Sequence, residues 1–158
     1  SKLTESWNGT NWTEVNDLNS SKSGTGGGWG TSTAALATGD DAYGTETESW
    51  NGSNWTEVND YNTGRIEGGA GGNASAGLMF GGYTGPSWVN SLLTEEWNGT
   101  NWVETTDLNT AVGYQYSGGT AVSGAVSAGG LRGGTAIVAA TEVWTGAGTA
   151  VTVTFDDT

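Results

Sequence analysis

The chain has no cysteine and no histidine. That removes disulfide stapling, thiol or imidazole nucleophile–base pairs, and every metal site built on those side chains. Any chemistry falls to carboxylates, hydroxyls, amides, tyrosine and tryptophan, and no cofactor is expected. Cations are scarce too: four Lys and Arg stand against 17 Asp and Glu, for a formal net charge of -13. A field of that sign repels nucleic acid and anionic membrane surfaces, so neither is an expected partner. The longest apolar run, Ala136 to Ala140, falls far short of the ~20 residues that span a bilayer, and no membrane insertion is expected. The opening residues Ser1 to Glu5 carry no signal-peptide apolar stretch. They fit a processed end, a fragment or the interior of a longer chain.

Large hydrophobic residues are also few. The hydrophobic class is 34% of 158 residues, there is one proline, and glycine reaches 29; that balance alone leans towards disorder. Nine tryptophans argue the other way, because each can bury roughly 150–250 Å² and help order a glycine-rich backbone. The expected product is a folded protein whose core depends on a small number of large residues.

Self-similarity dominates the sequence. Residues 4–19 read TESWNGTNWTEVNDLN, 47–62 read TESWNGSNWTEVNDYN, and 94–109 read TEEWNGTNWVETTDLN. A degenerate fourth copy, TEVWTGAGTAVTVTF, occupies 141–155. The leading tryptophans Trp7, Trp50, Trp97 and Trp144 lie 43, 47 and 47 residues apart. One supersecondary unit has been tiled along 1–158 as a single array.

Each copy predicts a hairpin, since Asn8-Gly9, Asn51-Gly52 and Asn98-Gly99 accept the positive φ of tight turns. A two-residue turn would pair Trp7 with Thr10. A four-residue loop would pair Trp7 with Trp12 and put both repeated tryptophans on one face, and is preferred. Between hairpins lie Gly- and Ala-rich segments with short apolar strands: Ala76 to Gly82, Ala34 to Asp40, and Val122 to Gly130. Small residues in strands signal close backbone approach. No window has helical apolar spacing. The prediction is an all-β chain of four-stranded units, each with two small-residue strands followed by a Trp-rich hairpin. That is the size of a propeller blade.

A short apolar strand ending in a diglycine (Gly81-Gly82, Gly129-Gly130, imperfectly Gly39-Asp40), followed by an aromatic strand and a Trp (Trp12, Trp55, Trp102), resembles the kelch blade of the family that includes galactose oxidase. The resemblance covers nearly the whole chain. It implies a kelch-like β-propeller or partial propeller of about three and a half four-stranded repeats. Trp7, Trp50 and Trp97 stand where kelch blades usually carry Tyr, and the gap to the next Trp is shorter than usual. The copper chemistry of galactose oxidase is excluded, because it needs His and a Cys–Tyr cross-link. The WNGTNW wording and scarce cations are also similar to kelch-like repeat proteins of marine bacteria and their phages. That likeness implies an extracellular or virion-surface location. Propellers close with 4–8 blades, so a homo-oligomer is expected to protect the strand edges of a partial ring.

Residues that recur in every copy usually belong to the unit's own packing. Trp7, Trp12, Trp50, Trp55, Trp97, Trp102 and Trp144 are therefore expected in the core. Glu5, Glu48, Glu95 and Glu142, with Glu14, Glu57 and Glu104, are expected on the solvent face of each hairpin. Repetition argues against a glycosidase pair, which should be singular. The aromatics that do not repeat sit where copies differ, which is where binding residues concentrate on a rigid scaffold. Tyr83, Trp88, Trp29 and Tyr43 are the candidate ligand-binding residues, with Tyr114 and Tyr116 beside them; Gly82 to Asn90, holding the lone proline, reads as a loop. Asp40-Asp41 and Asp156-Asp157 read as solvated acid rather than a Ca²⁺ site. The Asn-x-Ser/Thr matches are explained by turn chemistry. The glycine clusters at 26–28 and 68–72 lack the helix and Lys of a phosphate loop.

The sequence thus predicts a non-enzymatic binding or structural repeat protein. Its variable loops would meet surface glycans or a receptor, with a purely structural assembly protein as the alternative and a polysaccharide hydrolase as the lesser one.

Overall fold

The computed structural model describes residues 1–22, 27–39, 43–120, 122–133 and 135–146, with the backbone of 150–153. All regular structure among them is β. The chain opens with β1 (Thr4–Trp7) and β2 (Trp12–Val15), a lone hairpin. A four-stranded antiparallel sheet follows, β3 (Gly27–Thr31), β4 (Ala34–Thr38), β5 (Thr47–Trp50) and β6 (Trp55–Val58), ordered as in the chain. The second sheet takes β7 (Gly69–Asn73) and β8 (Ala76–Phe80), then skips the small hairpin β9 (Tyr83–Thr84) and β10 (Val89–Asn90), and ends with β11 (Thr94–Trp97) and β12 (Trp102–Glu104). The third repeats the plan with β13 (Tyr116–Gly118), β14 (Val126–Ala128), a small hairpin β15 (Leu131–Arg132) and β16 (Ala136–Ile137), then β17 (Thr141–Trp144) and β18 (Ala150–Val153). Each full sheet is two small-residue strands followed by the Trp-rich hairpin.

Hairpin register follows the four-residue loop: Trp7 faces Trp12, Trp50 faces Trp55, and Trp97 faces Trp102. The turn explains why. Asn8 Oδ1 accepts the N–H groups of Thr10 and Asn11, both at 2.9 Å, while Gly9 adopts φ 96°. Asn51 and Asn98 do the same in their copies. An Asn side chain that caps its own loop, followed by a residue free to take positive φ, fixes the loop length. The facing indoles then stand 5.3–5.5 Å apart, centroid to centroid.

The first strands of the three sheets, β3, β7 and β13, are glycine-rich because they press against one another. Gly72 N–H donates to Gly119 C=O at 2.8 Å and Ala70 N–H to Ser117 Oγ at 3.0 Å. A Cβ on Gly71 would meet the Gly118 carbonyl oxygen at 3.1 Å. The apolar cores lie between consecutive sheets. Leu36, Tyr61, Met79, Trp97 and Trp102 fill the space between the first and second. Leu78, Phe80, Leu108, Val112, Ala125 and Trp144 fill that between the second and third.

Polar latches join each hairpin to the next. Trp55 Nε1 donates to Thr4 Oγ1 and Trp102 Nε1 to Thr47 Oγ1, both at 3.1 Å. Asn16 Nδ2 holds the turn at Ser53 and Asn54, and Asn59 holds Thr100 and Asn101. The third latch corrects the expectation for the glutamates. Glu48, Glu95 and Glu142 are buried, at 0%, 1% and 4% exposure. Each carboxylate accepts two consecutive backbone N–H groups at the end of the preceding hairpin: Asn19 and Ser20, Asn62 and Thr63, Asn109 and Thr110. Glu14, Glu57 and Glu104 do face solvent. Two latches add a cation: Lys22 Nζ lies 3.6 Å from Glu48, and fully buried Arg65 lies 3.2 Å from Glu95.

The first hairpin departs from its sequence copies. Trp7 is 47% exposed and Trp12 64%, where core positions were expected, whereas Trp97 and Trp102 are buried. Glu5 is exposed as well. The cause is context, for β1 carries no small-residue strand pair beside it and no preceding hairpin against its face among the described residues.

Candidate ligand-binding site

Three of the non-repeating aromatics, Tyr83, Trp88 and Tyr114, gather where the small hairpin β9–β10 meets the connection leading into β13. Tyr83 begins β9, and its backbone exchanges hydrogen bonds with Ile66, N–H to C=O in both directions at 2.8 and 3.0 Å. This places its ring, fully buried, flat against Gly113, where any Cβ would collide with it. Trp88 and Tyr114 stand on this floor. Tyr83 makes edge contacts to both, at 5.3 Å to Trp88 and 5.5 Å to Tyr114. Trp88 and Tyr114 lie within 19° of parallel, 6.5 Å apart, and are 48% and 46% exposed.

Local backbone sets both exposed rings. Gly85-Pro86-Ser87-Trp88 forms the turn of β9–β10; Trp88 closes it with its N–H on Gly85 C=O at 3.3 Å and takes φ 54°. A left-handed bulky residue costs roughly 1–2 kcal/mol. Neighbouring contacts hold the turn: Asn90 Nδ2 donates to Leu131 C=O at 2.8 Å, and Gly133 N–H donates to Asn90 Oδ1 at 2.6 Å. Tyr114 also has positive φ, as does Glu67 at the matching repeat position. Their left-handed turn belongs to the scaffold, and Tyr114 N–H donates to Glu67 C=O at 3.0 Å. Partial desolvation, then the charge of Glu67 and the phenols of Tyr83 and Tyr43, raise the Tyr114 pKa above its ordinary value, so the group stays protonated and able to donate.

The candidates from sequence therefore divide. Trp88 and Tyr114 present aromatic faces to solvent and Tyr83 supports them from beneath, whereas Tyr43 is half-buried with φ 62° and shares no ring contact with the three among the described residues. Trp29 lies elsewhere: it meets Trp102 edge-on at 6.0 Å and donates from Nε1 to Asn73 C=O at 3.2 Å, packing the first sheet on the second. Tyr116 is 82% exposed on β13. Glu67 is the residue missed from sequence. The one signal was its equivalence to Tyr114 when the connections at 61–69 and 108–116 are superimposed.

Among the described residues no group of three acidic side chains is placed to hold a metal ion. Asp40-Asp41 and Asp156-Asp157 lie outside the described residues. No helix among them is long and apolar enough to cross a membrane. Compared with known protein families and with characterised proteins, the chain matches neither a family model nor an individual sequence.

Proposed function

We propose that the chain is a non-enzymatic binding module, a kelch-like propeller array of about three and a half units that presents the Trp88–Tyr114 platform to surface glycans. The near-parallel, half-exposed pair over buried Tyr83 carries this reading. An aromatic platform with a phenol donor at its rim suits the apolar face of a sugar ring whose hydroxyls need partners. The negative charge favours neutral over acidic sugars. A homo-oligomer at an extracellular or virion surface would multiply weak contacts. A glycan array read with wild type and Trp88→Ala tests it: wild type binds, and the variant loses binding with an unchanged melting temperature. Absence of binding by wild type, or equal binding by the variant, would refute it.

The alternative reading is a structural assembly protein that decorates or cements a larger assembly through its own strand edges and takes no small ligand. A polysaccharide hydrolase has the least support. Glycosidases need two carboxylates about 5–10 Å apart in opposite protonation states, and the three buried glutamates are each engaged by backbone N–H groups between units.

A further inference from the structure

Resting on the glycan-binding reading of this site, we infer that the Trp88–Tyr114 platform selects sugars that carry a protonated amine, with the Glu67 carboxylate as their counter-charge. Repeat geometry brings Glu67 there. It and Tyr114 hold the same position in successive units, both in the left-handed region at φ 53° and 55°, and Tyr114 N–H donates to Glu67 C=O at 3.0 Å. Ile66, the residue before Glu67, is tied to Tyr83 by two backbone hydrogen bonds, so the acid flanks the ring that floors the platform. Its charge reaches the Tyr114 hydroxyl: after partial desolvation it is the largest cause of that phenol's raised pKa, ahead of the Tyr83 and Tyr43 phenols.

The site offers ring faces and acceptors but no cation. Glu67 is half-buried, yet its carboxylate has no hydrogen-bond or ion-pair partner among the described residues. Beneath the platform, Tyr83 Oη is buried without a partner as well. The chain's own cations are engaged elsewhere or stand apart. Lys2 donates to Asn19 C=O, Lys22 lies beside Glu46 and Glu48, and Arg65 pairs with Glu95 over the Tyr61 ring. Arg132, exposed on β15, makes no ion pair among the described residues. A sugar that covers the platform takes water from the Glu67 carboxylate, which must be compensated. A neutral ring returns hydroxyl hydrogen bonds only. An ammonium returns a charge-assisted bond and sets its charge against the electron-rich faces of Trp88 and Tyr114. The excess of 17 acidic over four basic side chains also draws such a ligand from a distance; Glu67 decides where it settles.

The probes are glucosamine and galactosamine, each against its N-acetyl form, titrated at about pH 6, where amines are protonated and carboxylates ionised. The Trp88 indole resonance is followed. The expected result is saturable movement, with the free amines bound at least about tenfold more tightly than their acetylated partners. Glu67→Gln should cut that preference at least about fivefold while the melting temperature stays unchanged, since the carboxylate it removes holds no partner. Glu57→Gln removes an exposed charge on β6 and should keep the preference, which separates Glu67 from the field of the whole chain. Equal binding of amine and acetyl forms, a preference undiminished in Glu67→Gln, or one lost equally in Glu57→Gln would overturn the inference and leave the glycan platform standing. Saturation by neither sugar pair overturns it too, and the glycan reading falls with it only if wild type also binds nothing on the array.

Discussion

Glu48 lies buried with Oε2 accepting the backbone N–H of Asn19 at 2.8 Å, and the same carboxylate takes the N–H of Ser20 at 3.0 Å. The relationship recurs twice more along the chain, so a residue that looks like surface charge is the tie between units.

Glu142→Ala should destabilise the fold by about 1–3 kcal/mol, because it strands the N–H groups of Asn109 and Thr110 at a buried site. Glu5→Ala, the same change at the same repeat position, should stay within about 0.5 kcal/mol, since Glu5 is exposed. Urea denaturation of the two variants compares them; equal effects would contradict the latch.

Acid should loosen the array. Burial works against the Glu48 carboxylate, but the N–H and side-chain donors of Asn19 and Ser20 outweigh it and hold its pKa below the ordinary 4.5. A depressed native pKa contributes stability that is present above the unfolded value and lost as pH falls through the native one. Melting temperature should therefore fall below about pH 4.5. Glu48→Gln should remove part of that slope, which thermal melts across the acid range would detect.

The tryptophans should be unequal despite their shared wording. Trp102→Ala removes a side chain 6% exposed that packs on Tyr61 and Trp29 and bonds Thr47, and should cost about 3–5 kcal/mol. Trp12→Ala, at 64% exposure, should cost under about 1 kcal/mol. Chemical denaturation distinguishes them, and a large loss at Trp12 would mean that the first hairpin is covered in solution.

Gly82 and Gly85 both have positive φ, at 89° and 63°. A Cβ on Gly82 would also meet the Ile66 carbonyl oxygen at 2.6 Å, while that on Gly85 meets open space. Gly85→Ala should cost about 1 kcal/mol from backbone strain alone, and Gly82→Ala clearly more. Equal melting temperatures would show that the diglycine is not held by close packing.

Local sequence revealed the strands, the loop length and the two-plus-two plan of each unit, because Asn-Gly turns and facing tryptophans act within a few residues. It misled for Glu48, Glu95 and Glu142. Alternation reads one face of a hairpin as wet, yet Thr47 and Glu48 on opposite faces of β5 are both buried, since other units cover the sheet on either side. Trp7 and Trp50 have the same neighbours in sequence and different neighbours in space, which no local pattern records. The platform was half legible: Trp88 stood out as a non-repeating aromatic, whereas its contact with Tyr114 depends on the Ile66–Tyr83 and Gly113–Leu131 bridges of distant segments.

The proposed function puts recognition where the copies differ and leaves the buried repeated indoles to packing. The most direct test follows indole N–H resonances while a sugar found by glycan array is titrated in. The Trp88 resonance should move and saturate while those of Trp50, Trp97 and Trp102 stay still; movement of the repeated indoles with a stationary Trp88 would contradict the account.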